Sequence, residues 1–318
     1  MRILFVTSTR IGDAVLSTGL LNHLIGTHPG ARITIACGPI AAPLFESVPG
    51  LERIIVLSKR RLAGHWMGFL RDTFGTYWDV IVDLRGSLAT MPLLRGRRYA
   101  YYTDRAPVNR VERLSRVLDL AAPAQPKLWT GGGHEEAAAA LVPDGAPVLA
   151  LGPTANWPCK EWPVENFIEL ARRLTQADGP LAGARIMVLG AADEHAGARP
   201  LIEAFDAARV IEIFGGVHLL TAFACLKRAE LYIGNDSGLM HMAAAAGVPT
   251  LGLFGPTQDA HYAPFGHNCA VVRTPEPYED LVRQARGMAP LKSLMGSLTV
   301  DTVERAAVDL MARARRAA

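Results

Sequence analysis

Short apolar runs alternating with longer segments of helical period, in two successive series, constrain the fold of this chain more than any other feature. The first series reads as strands at Arg2–Thr7, Ile33–Cys37, Ile54–Leu57, Val80–Asp83 and Tyr99–Tyr102. Between the first two, residues 13–25 place Ala14, Val15, Leu16, Leu20, Leu21, Leu24 and Ile25 on one helical face. The second series gives strands at Val148–Gly152, Ile186–Gly190, Val210–Gly215, Leu231–Asp236 and Thr250–Gly255. Helices are expected at Val164–Ala177, Glu194–Ala208, Leu219–Arg228 and Leu239–Ala246, with a closing amphipathic helix at Val300–Arg315. Such alternation is the signature of parallel sheets built from βαβ units. The stretch "AAPAQPKLWTGGGHEEAAAA" interrupts the rhythm with prolines and a glycine triplet. The expected class is therefore α/β, with two Rossmann-like parallel-sheet domains at 1–130 and 147–318, a linker at 131–146, and a central cleft that both domains face.

A length of 318 residues suits two domains of ordinary size. The four cysteines, Cys37, Cys159, Cys225 and Cys269, show neither CxxC nor Cys/His ligand spacing, which predicts reduced thiols in a cytosolic protein and no structural metal. The opening "MRILFV" is too short for a signal-peptide core, so the chain is expected to stay inside the cell. "LMHMAAAAGVPTLGLFG" is broken by His241, Gly247 and Pro249, which argues against a membrane span. Charge is shared unevenly. Residues 1–145 carry 17 Lys+Arg against 12 Asp+Glu, whereas residues 146–318 carry 16 against 18. The basic half, with Lys59–Arg61 and the arginines from Arg85 to Arg116, suits an anionic partner or a phospholipid surface as well as it suits ordinary solvated charge.

Three stretches carry candidate chemistry. In "LYIGNDSGLMHMAAAAGVPTLGLFGPT" a strand ends in a polar turn and an alanine-rich helix follows. The free N–H groups and positive end of such a helix make a phosphate site. Gly234 and Gly238 would allow close approach of the backbone, Asp236 or Ser237 would cap, and His241 would add a donor; an ordinary capped βα turn reads equally well. In "GPTANWPCKEWP" Lys160 sits on a proline-stiffened loop after a strand, placed to neutralise a diphosphate or to lie on the surface beside core tryptophans. In "TSTRIGDAVLSTG" Asp13 follows the first strand and serves either as a helix N-cap or as a general base toward an attacking hydroxyl. The sequence has neither GxGxxG nor a P-loop at these places, and Ser237 lacks the context of a hydrolase nucleophile.

"RIGDAVLSTGLL", "WPCKEWP" and "NDSGLMHMAAAAGVPTLGLFGPT", in that order, resemble glycosyltransferase family 9, the ADP-heptose:lipopolysaccharide heptosyltransferases. The resemblance implies a GT-B fold and inverting transfer without an essential metal or other cofactor. By the same resemblance Asp13 is the base, and Lys160, Thr154, Asp236, Ser237, Gly238, His241, Gly255 and Thr257 hold the nucleotide-sugar donor. Lys59, Arg60, Arg61 and Arg85 are implied for an anionic lipopolysaccharide-core acceptor, Arg85 standing where many relatives have glutamine or histidine. The implied partners are ADP-heptose, that acceptor and the cytoplasmic face of the inner membrane, met peripherally; nucleic acid is not among them. A family member that moves another nucleotide-linked sugar, a nucleotide-sugar epimerase and a non-catalytic nucleotide-sugar sensor remain alternatives.

Overall fold

The protein, represented by a computed structural model that describes residues 1–58, 64–101 and 107–317, divides into two compact units, Met1–Gly131 and Gly132–Ala318. In the first unit, β1 (Arg2–Val6), β2 (Arg32–Cys37), β3 (Leu51–Val56), β4 (Trp78–Asp83) and β5 (Arg95–Ala100) form a parallel sheet in the order β3-β2-β1-β4-β5. Its helices are α1 (Ile11–Thr27), α2 (Gly64–Thr73) and α3 (Arg110–Ser115). The run Ile3–Val6 is fully buried, as expected of a central parallel strand that packs on both faces. β1 and β4 are neighbours in space though not in sequence, with Val6 paired to Asp83. The strand order reverses at this pair, and sheets of this kind bind ligands beyond the carboxyl ends of such strands.

The second unit begins with α4 (Gly132–Leu141). It continues through β6 (Val148–Gly152), α5 (Val164–Thr175), β7 (Arg185–Leu189), α6 (His195–Glu203), β8 (Val210–Ile213), α7 (Leu219–Leu226) and β9 (Leu231–Asn235). After these come α8 (Gly238–Ala245), β10 (Thr250–Phe254), α9 (Asp259–Tyr262), β11 (Cys269–Arg273), α10 (Tyr278–Arg286) and α11 (Val300–Ala317). The sheet, again parallel, runs β11-β10-β9-β6-β7-β8 and reverses between β6 and β9, where Gly152 pairs with Gly234. The closing helix α11 sends Val303, Ala307, Leu310 and Met311 into this unit's core beside Phe167, Leu170 and Leu174 of α5.

Several elements differ from the sequence reading. Residues 132–141 of the segment read as a linker form α4, which packs against α7 inside the second unit. The second sheet has a further edge strand, β11, whose side chains are all only partly buried. β5 begins at Arg95 rather than Tyr99, and α1 begins at Ile11, two residues before Asp13. Among the described residues, no helix is long and apolar enough to cross a membrane.

Candidate functional site

In the first unit the carboxyl ends of β1 and β4 border a cavity of about 240 Å³ lined by Thr7, Ser8, Thr9, Asp13, Ser17, Arg85 and Arg110, among others. Asp13 is not the cap of α1. Arg10 occupies that position, and Asp13 stands in the first turn with its Oδ1 3.8 Å from Arg110 Nε, both side chains about one-fifth exposed. The positive end of the helix and the guanidinium thus face one open carboxylate. α3 brings Arg110 there by packing on α1, and the guanidinium also lies 4.7 Å from the Tyr101 ring. Spacing gave no hint of Arg110, because 97 residues separate it from Asp13.

The second wall is built on Asp83, which is fully buried at the end of β4. Its carboxylate accepts from the Arg85 and Ser87 backbone N–H groups at 3.1 and 3.0 Å, and from the Ser87 and Thr90 hydroxyls at 3.0 and 2.7 Å. Arg98 Nη2 stands 3.5 Å away. The chain then turns through Gly86 at φ +60, where a Cβ would meet the Tyr101 carbonyl oxygen at 2.7 Å. This turn delivers Arg85 to the cavity with its guanidinium 5.0 Å from the Trp66 ring. Burial pushes the Arg85 guanidinium down from its ordinary value, and Asp83 opposes that shift. Arg85 and Asp13 therefore line one cavity, whereas Lys59, Arg60 and Arg61 lie outside the described residues. Gly19, the last residue of the opening motif, has a packing reason: a Cβ there would stand 2.0 Å from the Ala124 carbonyl oxygen.

In the second unit the loops after β6 and β9 meet. Asn235 joins them, donating from Nδ2 to the Pro153 carbonyl at 2.7 Å and accepting from the Trp162 backbone N–H at 3.0 Å. Lys160 follows Cys159, which is buried against Leu281 and Leu294, and precedes Glu161 and Trp162; the Trp162 indole donates to the Leu298 carbonyl at 2.8 Å. The anchored neighbours hold Lys160 with its Nζ 3.8 Å from Asp236 Oδ2, both side chains nearly nine-tenths buried. Leu281, Ala285 and Leu294 pack behind this loop.

Ser237 holds the cap position of α8 but makes no side-chain cap bond, and Gly238 is the helix's first residue. The leading N–H groups of α8 thus lack a side-chain acceptor from the cap residue, beside Asp236 and Lys160. Other expected site residues are placed differently. His241 is 3% exposed, among the buried residues of α8. Thr154 donates its hydroxyl to Glu194 Oε2 at 2.9 Å. A Cβ on Gly255 would stand 2.4 Å from Met295 Sδ, and one on Gly234 would stand 2.4 Å from the Tyr232 hydroxyl. These glycines leave room for neighbouring side chains. The Thr257 hydroxyl is buried without a hydrogen-bond partner among the described residues.

Glu161 accepts from the Ala155 N–H at 2.8 Å and stiffens the same loop. Burial raises its carboxyl, chiefly, and Glu194 adds to the rise; the Ala155 bond and Lys160 oppose it. With the folded value above the unfolded one, the native state favours the protonated form. The cost of the charge is therefore absent in acid and grows as pH rises through the raised value. Glu161→Gln is expected to raise the melting temperature at pH 7 and to leave it unchanged near about pH 4, where the ordinary carboxyl is largely protonated. A fall at pH 7 would mean that the contacts of the carboxylate outweigh its burial.

The description "Glycosyltransferase family 9 (heptosyltransferase)" matches residues 89–288, more than half of the chain. Lipopolysaccharide heptosyltransferase 2 of Salmonella typhimurium is 24% identical over 316 residues, covering 86% of this chain and 88% of the relative. Lipopolysaccharide heptosyltransferase 1 of Pseudomonas aeruginosa is 26% identical, covering 84% and 82%. Among solved structures, a glycosyl transferase family 9 protein from Veillonella parvula superposes with a TM-score of 0.78 at 20% identity, over 98% of this chain and 97% of that one. The ADP-heptose lps heptosyltransferase II of E. coli gives 0.73 at 21% identity, with both chains fully covered. The two parallel α/β units are those of the GT-B fold. With the family description matched across both units and relatives aligned over most of its length, the chain belongs to glycosyltransferase family 9, the heptosyltransferase family.

Proposed function

We propose that this glycosyltransferase moves heptose from ADP-heptose to the inner core of lipopolysaccharide with inversion, without an essential metal, at the cytoplasmic face of the inner membrane. The observation that carries the reading is the Asp13 cavity: a carboxylate at the carboxyl edge of a parallel sheet, flanked by Arg85 and Arg110. The arginines suit an anionic acceptor, and the carboxylate suits removal of a proton from its hydroxyl. The hydroxyl oxygen forms the new bond to the anomeric carbon as the bond to the diphosphate breaks. The proton passes to Asp13, and the bonding pair leaves on ADP. In the second unit Lys160 and the leading N–H groups of α8 are the groups suited to receive that negative charge, so the reading routes no step through a metal. The names of the relatives support the choice of sugar and acceptor.

Calorimetric titration with ADP-heptose, and with UDP- and GDP-sugars as controls, tests the donor. Selective binding of ADP-heptose is expected; preference for another nucleotide sugar would move the protein to a different reaction on the same fold. Lys160→Ala should weaken ADP binding by about 1.5–3 kcal/mol, the size of a hydrogen bond to a charged group, and unchanged affinity would remove Lys160 from the donor site. Transfer should survive treatment with a chelator at full rate. Loss of activity restored by a divalent cation would overturn the metal-free reading.

A further inference from the structure

Three glycines stand side by side across the middle of the second sheet: Gly152 of β6 and Gly252 of β10 both pair with Gly234 of β9. Their chain neighbours Leu151, Ile233, Leu251 and Leu253 belong to the core that α5 and α11 cover, so alternation turns the glycine row to the other face, where α8 packs. Without side chains, the row leaves a shallow floor. Met240 of α8 fills it at Gly252, where a Cβ would stand 2.6 Å from its sulfur. Tyr232 fills the rest. Its side chain runs forward along the sheet, so that a Cβ on Gly152 or Gly234 would stand 2.2 or 2.4 Å from its hydroxyl. The phenol oxygen is thus carried to the carboxyl ends of β6 and β9, behind the turn that leads into α8.

Packing alone does not ask for that oxygen. Tyr232 is fully buried, and its hydroxyl completes no hydrogen bond among the described residues. A buried hydroxyl left unpaired costs stability, and phenylalanine would fill the same space without that cost. The group it acts on is Ser237. Burial pushes the phenol up from its ordinary value, the Ser237 hydroxyl opposes the rise, and Glu194 adds to it. Ser237 is itself unusual. It holds the cap position of α8, where a serine ordinarily accepts from the N–H groups two or three residues on, here those of Leu239 and Met240. It makes no such bond, and its hydroxyl is buried without another partner among the described residues. We propose that Tyr232 is a positioning residue of the donor site: its hydroxyl keeps the Ser237 side chain turned toward the sheet, so that Ser237 does not cap its own helix and the leading N–H groups of α8 stay open for the donor diphosphate. This role rests on the donor reading given above. A serine that capped α8 would occupy the N–H groups a phosphate needs, and the free protein gives up some stability to keep that helix end open.

Tyr232→Phe removes only the oxygen. It is expected to weaken ADP binding by about three- to tenfold in calorimetric titration, and to raise the melting temperature of the free protein by about 2–4 °C, because Ser237 then swings to the cap. Opposite signs in the two readouts separate this role from a structural one, which would lower both. Ser237→Ala removes the competing oxygen, so in that background Tyr232→Phe should weaken ADP binding no further. Amide exchange of the nucleotide-free protein gives an independent readout. The Leu239 and Met240 N–H groups should gain about three- to tenfold protection in Tyr232→Phe and lose that gain in the double variant. Unchanged ADP affinity, an equal loss of affinity in both backgrounds, no gain in protection, or affinity and melting temperature falling together would each overturn the proposal. If the parent protein binds no ADP, the donor reading fails, while the exchange result by itself still supports or overturns the control of Ser237 by Tyr232.

Discussion

Asp13→Ala is expected to lower kcat for transfer by about a hundred- to ten-thousand-fold, the usual contribution of a positioned general base. The affinity for ADP-heptose should stay within a few-fold, because the diphosphate contacts are assigned to the second unit. The fold supports this separation. Arg10, not Asp13, holds the cap position of α1. The carboxylate interacts with the first turn of the helix and with Arg110, which is 3.8 Å away and 20% exposed. Losing this partly buried charge should cost up to about 2 kcal/mol of stability. Asp13→Asn, which keeps the shape and loses the proton acceptor, should be as inactive as the alanine variant. A well-folded Asp13→Asn enzyme with near-normal kcat would rule Asp13 out as the base; a large loss of donor binding in either variant would make it a structural or binding group.

Asp83→Ala should destabilise the first unit by about 3–5 kcal/mol, the cost of removing one member of a buried, hydrogen-bonded ion pair. The carboxylate is fully buried and accepts from two backbone N–H groups and two hydroxyls, with Arg98 beside it. An alanine would leave the two N–H groups and the Ser87 hydroxyl without this acceptor, would remove the carboxylate beside Arg98, and would release the turn that carries Arg85 into the Asp13 cavity. Asp83→Asn is expected to retain part of the stability, because one amide oxygen still accepts. Denaturant midpoints for the two variants check this. Equal and small losses would show that water or relaxation of the turn replaces the carboxylate.

Periodicity made most of the architecture readable. The runs "RILFV", "VLALG" and "TLGLF" are apolar end to end because helices cover both faces of a central parallel strand, and such runs stand out in a sequence. The strands that were missed or most shifted lie at sheet edges. "RGRRYA" is a strand by virtue of its backbone pairing with β4, and its arginines conceal it. "CAVVR" is short and only partly buried beside β10. α4 hid behind the glycine triplet that reads as a connector. The candidate site is legible where its residues are close in sequence, so that the loop around Lys160 and the turn at Asp236 each stand out as a stretch, and the structure brings the two together. Arg110 was not, because only the packing of α3 on α1 brings it to Asp13. Gly234 and Gly255 show a further limit. A glycine beside a strand end signals close approach, and only the structure tells that the visitors are Tyr232 and Met295.

Acceptor-dependent heptosyl transfer is the proposed activity at its most direct. Purified protein, ADP-heptose and heptose-deficient lipopolysaccharide core should together release ADP and yield core heavier by one heptose. Leaving out the acceptor, or replacing Asp13 by alanine, should reduce ADP release to background. ADP release at the same rate with and without acceptor, or binding of ADP-heptose with no heptose found on the core, would contradict it.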